Sequence, residues 1–183
     1  MIQSWSTELI ILKRVDSGEG DRIVTGYSPE LGKIVSIAKG ARKLQSTKRS
    51  FLEPGNWITV QFRGSRGLPF MQQVVLKSDF HSAKKTLMGM KQVLQVLEIV
   101  DKLTVEGEGS QDVFFRFLEI LQGLHQGDSF QITKDRLWLL LAELGYRSEG
   151  MEHDSISEVV EEVADRPLNS YAFLTVYNTS LSH

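Results

Sequence analysis

The clearest indication of the fold is the segment WITVQFR, which begins at Trp57 and ends at Arg63. Apolar and mostly polar residues alternate through it, and successive side chains of a β-strand point to opposite faces of a sheet. The pattern therefore predicts a half-buried strand with Ile58, Val60 and Phe62 toward a core. Trp57 and Arg63 then share the outward face.

Four more short segments with strand character lie around this one, at residues 8–14, 23–27, 33–39 and 70–77. Most are rich in β-branched residues, and most are separated by turns that contain glycine, which is the composition expected of strands and their connections. A long polar connection, 41–56, follows the third strand. Five short strands within about 75 residues indicate a small antiparallel barrel, of which the OB-fold is the commonest nucleic-acid-binding form. An SH3-like barrel stays open as an alternative.

After Asp79 the spacing of apolar residues changes to the three- and four-residue steps of amphipathic helices. We predict that the first stripe runs from Leu87 to Val100. Further helices are expected at residues 113–124, 133–144 and 155–164, with a last short one at 170–177. Ser155 and Glu158 have the spacing of a capping box. The predicted class is α+β, with a β-barrel followed by helices.

The composition narrows the kind of protein this can be. A chain of 183 residues with 41% hydrophobic residues is long enough for one sizeable core or two small ones. It has no cysteine, so disulfides and thiolate metal sites are excluded. We find no signal-peptide pattern and no apolar run near the roughly 18 residues that cross a bilayer. A cytoplasmic location is the expectation.

Positive charge is concentrated in one part of the chain. Residues 1–80 carry a formal net charge of +5, and residues 81–183 carry −7. Clustered cations across strands and loops are typical of a surface that binds phosphate, although a run of charge is often only a solvated face. The candidate phosphate contacts are Lys33, Lys39, Arg42, Lys43, Lys48, Arg49, Arg63 and Arg66. Glu53 is the one acidic residue between Lys33 and Arg66.

Stacking of bases on aromatic rings would add affinity without sequence preference, at about 1 to 3 kcal/mol per base. The candidates are Tyr27, Phe51, Trp57 and Phe70, of which Trp57 and Tyr27 are the leading two. Large aromatic residues in small barrels more often fill the core or cover an edge, so the structural interpretation stays open for both.

No catalytic constellation is visible in the sequence. The chain has four histidines, His81, His125, His153 and His183, and no two stand at the short helical spacing of a metal site. The glycine-rich segments lack the lysine and hydroxyl arrangement of a phosphate-binding loop before a helix. We therefore predict no enzyme activity, no metal and no cofactor.

Several motifs follow one another in an order that resembles one protein family. They are Gly18-Glu19-Gly20-Asp21-Arg22-Ile23-Val24-Thr25, Ala38-Lys39-Gly40-Ala41-Arg42-Lys43, Phe62-Arg63-Gly64-Ser65-Arg66-Gly67-Leu68-Pro69, the helical stretch 137–146, and Arg166-Pro167-Leu168-Asn169-Ser170-Tyr171-Ala172-Phe173-Leu174. Together they resemble the RecO family of bacterial recombination mediators. The N-terminal motifs are specific, whereas the helical part alone would not identify the family.

The resemblance implies an OB-fold domain over residues 1–80 and a helical domain over 81–183. It also implies a nucleoid-associated protein that binds single- and double-stranded DNA, anneals complementary strands, and assists RecA loading together with RecR and single-strand binding protein. A different class of function is a non-catalytic protein-interaction module whose barrel makes no contact with DNA. A cryptic hydrolase is disfavoured by the absence of catalytic motifs.

The sequence departs from the family pattern at one place. Many members of the family carry a four-cysteine zinc module just after the residues equivalent to Gly145-Tyr146, and this chain has only residues 147–154 there. We therefore expect a helical domain without the zinc module.

Overall fold

The computed structural model describes residues 3–43, 46, 48–64, 67–146 and 155–164. Five strands come first, and they are β1 (Gln3–Ser17), β2 (Asp21–Ser28), β3 (Gly32–Ala38), β4 (Trp57–Gly64) and β5 (Phe70–Ser78). A one-turn helix, α1 (Lys48–Phe51), lies between β3 and β4. Four longer helices follow β5, and they are α2 (Leu87–Leu103), α3 (Gln111–Gln126), α4 (Phe130–Glu143) and α5 (Ile156–Ala164). The predicted α+β class is confirmed.

The strands form one closed sheet in the order β1-β2-β3-β5-β4. The long strand β1 pairs with β4 through its first half and with β2 through its second, and its register shifts between Ile11 and Lys13 where the two halves meet. Closure comes from a single parallel pair, Ile37 with Phe70, which the hydrogen bond from Ile37 N to Pro69 O extends. A five-stranded barrel with this strand order is the OB-fold, as predicted.

Strand β4 has the alternating burial that its sequence predicted. Ile58, Val60 and Phe62 are fully buried in the barrel core, and Arg63 on the other face is exposed. Most of the remaining core residues come from the other strands, and Leu52, just after α1, belongs to the same core. The barrel thus has its own hydrophobic core.

Each long helix begins just after a residue that caps it. The side chains of Thr86, Ser110 and Ser129 accept hydrogen bonds from the third backbone N–H after them and so cap α2, α3 and α4. The capping box at α5 is confirmed, because Ser155 N donates to Glu158 Oε2 at 3.0 Å and Glu158 N donates to Ser155 Oγ at 3.2 Å.

A second hydrophobic core joins the helices to the wall of the barrel. Buried residues of α2, α3, α4 and α5 pack together there, and Ile10 and Leu12 of β1 and Tyr27 of β2 belong to the same cluster. The helices therefore cover one side of the barrel. The predicted apolar stripe of α2 is only partly correct, since Leu87 and Leu94 are 73% and 46% exposed while Val96 and Ile99 are buried.

The structure differs from the predicted boundaries in other ways. Strand β1 extends to Ser17, through residues expected to form a loop, because β2 pairs with it up to Asp21. Helix α1 occupies part of the segment expected to be a long connection. One strand pair of the barrel is parallel, whereas an antiparallel barrel was expected. The residue range of the predicted last helix, 170–177, and the segment 147–154 lie outside the described residues.

Among the described residues, no helix is both long enough and apolar enough to cross a membrane.

Candidate nucleic-acid interface

Three connections of the barrel meet at one of its ends. The backbone N–H of Arg42 donates to Gly20 O at 3.0 Å, and the N–H of Gly40 donates to Asp21 Oδ1 at 2.8 Å. These bonds hold the segment after β3 against the β1–β2 turn. The β4–β5 connection reaches the same end through the bond from Ile37 N to Pro69 O.

The predicted cations of this end come from different elements. Lys39 lies over the ring of Phe70, with Nζ 4.6 Å from the ring centroid, and Phe70 stands opposite Arg63 in the β4–β5 ladder. Lys43 follows the turn at Gly40, which has a positive φ of 65° that glycine adopts without strain. Lys39 and Arg63 are therefore brought together although 24 positions separate them in the chain.

Helix α1 adds two further cations. Lys48 Nζ donates to Met71 O at 3.1 Å, next to Phe70. Arg22 Nη1 donates to Arg49 O at 3.1 Å, which ties α1 to the start of β2 while the side chain of Arg49 stays exposed. We call this surface the basic end of the barrel. It is defined by Lys39, Arg42, Lys43, Lys48, Arg49 and Arg63.

Four of these six side chains have no acidic partner within the part of the chain that the structure describes. Lys39, Lys43, Arg49 and Arg63 are exposed, and none of them forms an ion pair with any described residue. Arg42 differs, because its Nε lies 3.3 Å from Asp16 Oδ2 and its Nη1 donates to Gly18 O. Cations without a partner keep their full charge for a ligand, and phosphate oxygens are the acceptors that Lys and Arg commonly bind.

Lys33 lies apart from the basic end. Its Nζ donates to Asp101 O at 2.6 Å and lies 3.6 Å from Asp101 Oδ1, and its side chain is 17% exposed. Asp101 also pairs with Lys13. Lys33 therefore joins the barrel to α2, and we do not include it in the proposed interface. Arg66 lies outside the described residues.

The two leading candidates for base stacking, Tyr27 and Trp57, lie away from the basic end. Tyr27 is 1% exposed, so the ring has no face open to a base, and burial raises the pKa of its hydroxyl. Trp57 is half-buried at the opposite end of β4 from Arg63, about 20 Å away at the rise of a β-strand. Its indole N–H donates to Glu8, and Lys77 lies over its ring.

The sequence analysis did not identify Arg22, which holds the connections at the basic end in place. Arg22 is 5% exposed and contacts Asp16 at 3.3 Å, Glu53 at 3.7 Å and the carbonyl of Arg49. Its place in β2 has the same parity as buried Val24, and this alternation is the signal that would have placed it inward. Arg22 holds the loops rather than a ligand.

Nothing in the described part of the chain brings three metal-ligating carboxylate or imidazole groups together. His81 and His125 have ring centroids 5.2 Å apart, and Asp79 Oδ1 lies 3.3 Å from His81 Nδ1. His125 Nδ1 accepts a hydrogen bond from the backbone N–H of Ser82 at 3.3 Å, so this nitrogen is already occupied.

The fold and this surface define an OB-fold protein with a basic barrel end and a helical region packed on its wall. Residues 1–80 match the family model described as "Recombination protein O N terminal". The chain is 32% identical to the DNA repair protein RecO of Pelotomaculum thermopropionicum over 78% of this chain and 56% of that one. It is 31% identical to the DNA repair protein RecO of a Roseiflexus species over 88% of this chain and 57% of that one. In both comparisons, the proteins that this chain is similar to are RecO proteins. The chain spans a little over half the length of these relatives.

Proposed function

We propose that this protein acts in DNA repair and recombination by binding DNA through the basic end of its barrel. The observation that carries the proposal is a set of four exposed cations from three separate parts of the chain, none of which has an acidic partner among the described residues: Lys39, Lys43, Arg49 and Arg63. The names of its relatives, DNA repair protein RecO, support the same role. Binding through phosphate predicts little sequence preference and a steep loss of affinity with salt.

The proposal assigns different tasks to the two parts of the chain. Residues 1–80 form the DNA-binding domain, and residues 81–183 form a helical domain that packs against it and receives protein partners. DNA in single- and double-stranded form is the ligand, and RecR and single-strand binding protein are the partners that the family suggests. Neutralising the phosphates lowers the repulsion between two strands and leaves the base edges free to pair, so the same surface would promote annealing and assist RecA loading.

The test is a fluorescence-anisotropy titration of labelled single-stranded DNA across a salt series. The double variant Lys43→Glu and Arg49→Glu should bind at least about 25-fold more weakly at 0.1 M salt, because each phosphate contact to a single strand contributes about 0.7 to the salt slope. The slope should become less steep by about 1.4. Annealing of complementary strands should slow in the same variant.

The matched control makes the same change in net charge elsewhere. Lys85→Glu with Lys134→Glu alters two lysines of the helical region and should leave the affinity within about two-fold. Equal weakening by the two double variants would mean that only net charge matters. No weakening by either would remove the basic end from the function.

A protein-interaction module is the second candidate function. Leu87, Met88 and Leu94 are exposed apolar residues on α2, and exposed apolar surface favours a protein partner. The wild-type titration separates the two functions, because a pure interaction module would bind no DNA even at low salt.

A further inference from the structure

The C-terminal end of the basic helix α1 is held in place by the side chain of Asn56. Asn56, which follows α1 and precedes β4, is 2% exposed and has its side-chain amide fully occupied. Its Nδ2 donates to Ser50 O at 3.0 Å and to Phe51 O at 3.2 Å, which are carbonyls at the C-terminal end of α1. The orientation of the Asn56 amide therefore fixes the end of α1.

The orientation of that amide is set in turn by Lys84. Lys84 Nζ donates to Asn56 Oδ1 at 2.8 Å. A side-chain amide can turn over and exchange its oxygen for its nitrogen, and a lysine, which only donates, permits only the oxygen toward itself. With the oxygen facing Lys84, Nδ2 must face the two carbonyls of α1.

Lys84 comes from the segment that joins the barrel to α2. Its neighbours Phe80 and Ala83 are buried in the core that the helices share with the barrel wall, so the backbone around Lys84 is anchored on the helical side. The stem of Lys84 passes over Gly55, where a Cβ would stand 3.2 Å from Lys84 Cε. Burial lowers the pKa of the Lys84 ammonium, and Asp79 and Glu53 oppose that shift.

We propose that Lys84 is a positioning residue that couples the helical region to the DNA-binding surface. It acts through Asn56 on α1 and so fixes the direction in which Arg49 is presented. This inference rests on the proposed function of the basic end, and it deepens that function by giving the helical region a means to change DNA affinity. A partner that shifts the segment before α2 would reach α1 through these two side chains.

The test uses the full chain with Lys84→Met, which keeps the length of the stem and removes the donor. The expected result is about five-fold weaker binding of single-stranded DNA at 0.1 M salt and a slope less steep by about 0.7, the contribution of one phosphate contact. Lys85→Met is the matched control. Lys85 is an exposed lysine in the same turn, and its loss should change the affinity less than two-fold.

A double-mutant cycle separates positioning from direct contact with DNA. If Lys84 acts through α1, Lys84→Met should weaken binding no further once Arg49 has been replaced by Ala, whereas independent contacts would add. Asn56 is a less suitable target, because its replacement would disturb a buried hydrogen-bond network and the fold with it.

The failure of this inference is distinct from the failure of the proposed function. Equal effects of Lys84→Met and Lys85→Met, or additive effects of Lys84→Met and Arg49→Ala, would overturn the positioning role while DNA binding stands. No loss of affinity in Arg49→Ala and in the Lys43 and Arg49 charge reversal would overturn both. Thermal unfolding of each variant shows whether an effect on binding comes from lost stability.

Discussion

Cations at the basic end of the barrel and arginines of the helical region have opposite surroundings. In the helical region, Arg116 lies 3.1 Å from Glu119 and 3.6 Å from Glu143, and Arg136 pairs with Asp128 and with Glu119. At the basic end, Lys39, Lys43, Arg49 and Arg63 have no such partners among the described residues. The difference indicates that the helical arginines hold helices together, whereas the barrel leaves charge available to a ligand.

The largest effect is expected at Arg22, because it is a buried and ion-paired cation next to the basic end. Replacing it with Met leaves Asp16 and Glu53 without their shared cation and frees the carbonyl of Arg49. Breaking a buried pair costs about 3 to 5 kcal/mol, and the exposure of both acids reduces this. We expect the free energy of unfolding to fall by about 2 kcal/mol in a denaturant titration.

Arg42→Met is the control for that measurement. Arg42 contacts the same carboxylate of Asp16, but its side chain is 38% exposed, so its loss should lower the free energy of unfolding by less than about 0.5 kcal/mol. Similar losses in the free energy of unfolding would show that the buried Arg22 and the more exposed Arg42 contribute equally to stability.

Lys33 and Lys39 allow a cation with an acidic partner to be compared with an exposed cation in the same part of the sequence. They stand at the two ends of β3, and both belong to the cluster that the sequence assigned to phosphate. Because Lys33 is bonded to Asp101 of α2, Lys33→Met should lower the free energy of unfolding by about 1 kcal/mol and leave the affinity for single-stranded DNA within two-fold. Denaturant titration and anisotropy measure the two quantities.

Lys39→Met should give the reverse result. Its ammonium lies over the ring of Phe70 and has no acidic partner among the described residues, so the stability should stay nearly unchanged while the affinity falls about five-fold at 0.1 M salt. A loss of DNA affinity in Lys33→Met as large as that in Lys39→Met would return Lys33 to the interface.

These pairs show how far the sequence can predict the site. Alternation within one strand placed Ile58 and Arg63 on the correct faces, and the spacing of Ser155 and Glu158 placed the start of α5, because both signals are local. The contact of Lys33 with Asp101 joins residues 68 positions apart, and the burial of Tyr27 depends on helices that pack over β2. Neither can be seen in the sequence near Lys33 or Tyr27. The clustering of cations indicated a candidate segment for phosphate binding, but only the tertiary contacts separate its exposed cations from its paired ones.

Tyr27 gives the smallest effect and tests the other side of the barrel, where the helices cover it. Burial raises the pKa of its hydroxyl, and a hydrogen bond from the backbone of Ser110 opposes that shift. The folded protein therefore keeps the phenolic proton at a pH where the unfolded chain, with the ordinary value near 10, has begun to lose it. A native state that binds more protons loses stability as pH rises. The contribution of Tyr27 is thus complete below pH 10 and decreases above it.

Denaturant titrations between pH 8 and 11 should show this loss in the wild type and a shallower one in Tyr27→Phe, which cannot ionise. Lysines titrate in the same range in both proteins, so the difference between the two curves isolates Tyr27. Parallel curves would mean that the phenol ionises alike in the folded and unfolded chains, which is incompatible with a side chain sealed between β2 and the helices. A diverging pair would show that the helical region closes this wall of the barrel, on a side away from the DNA-binding surface proposed at the basic end.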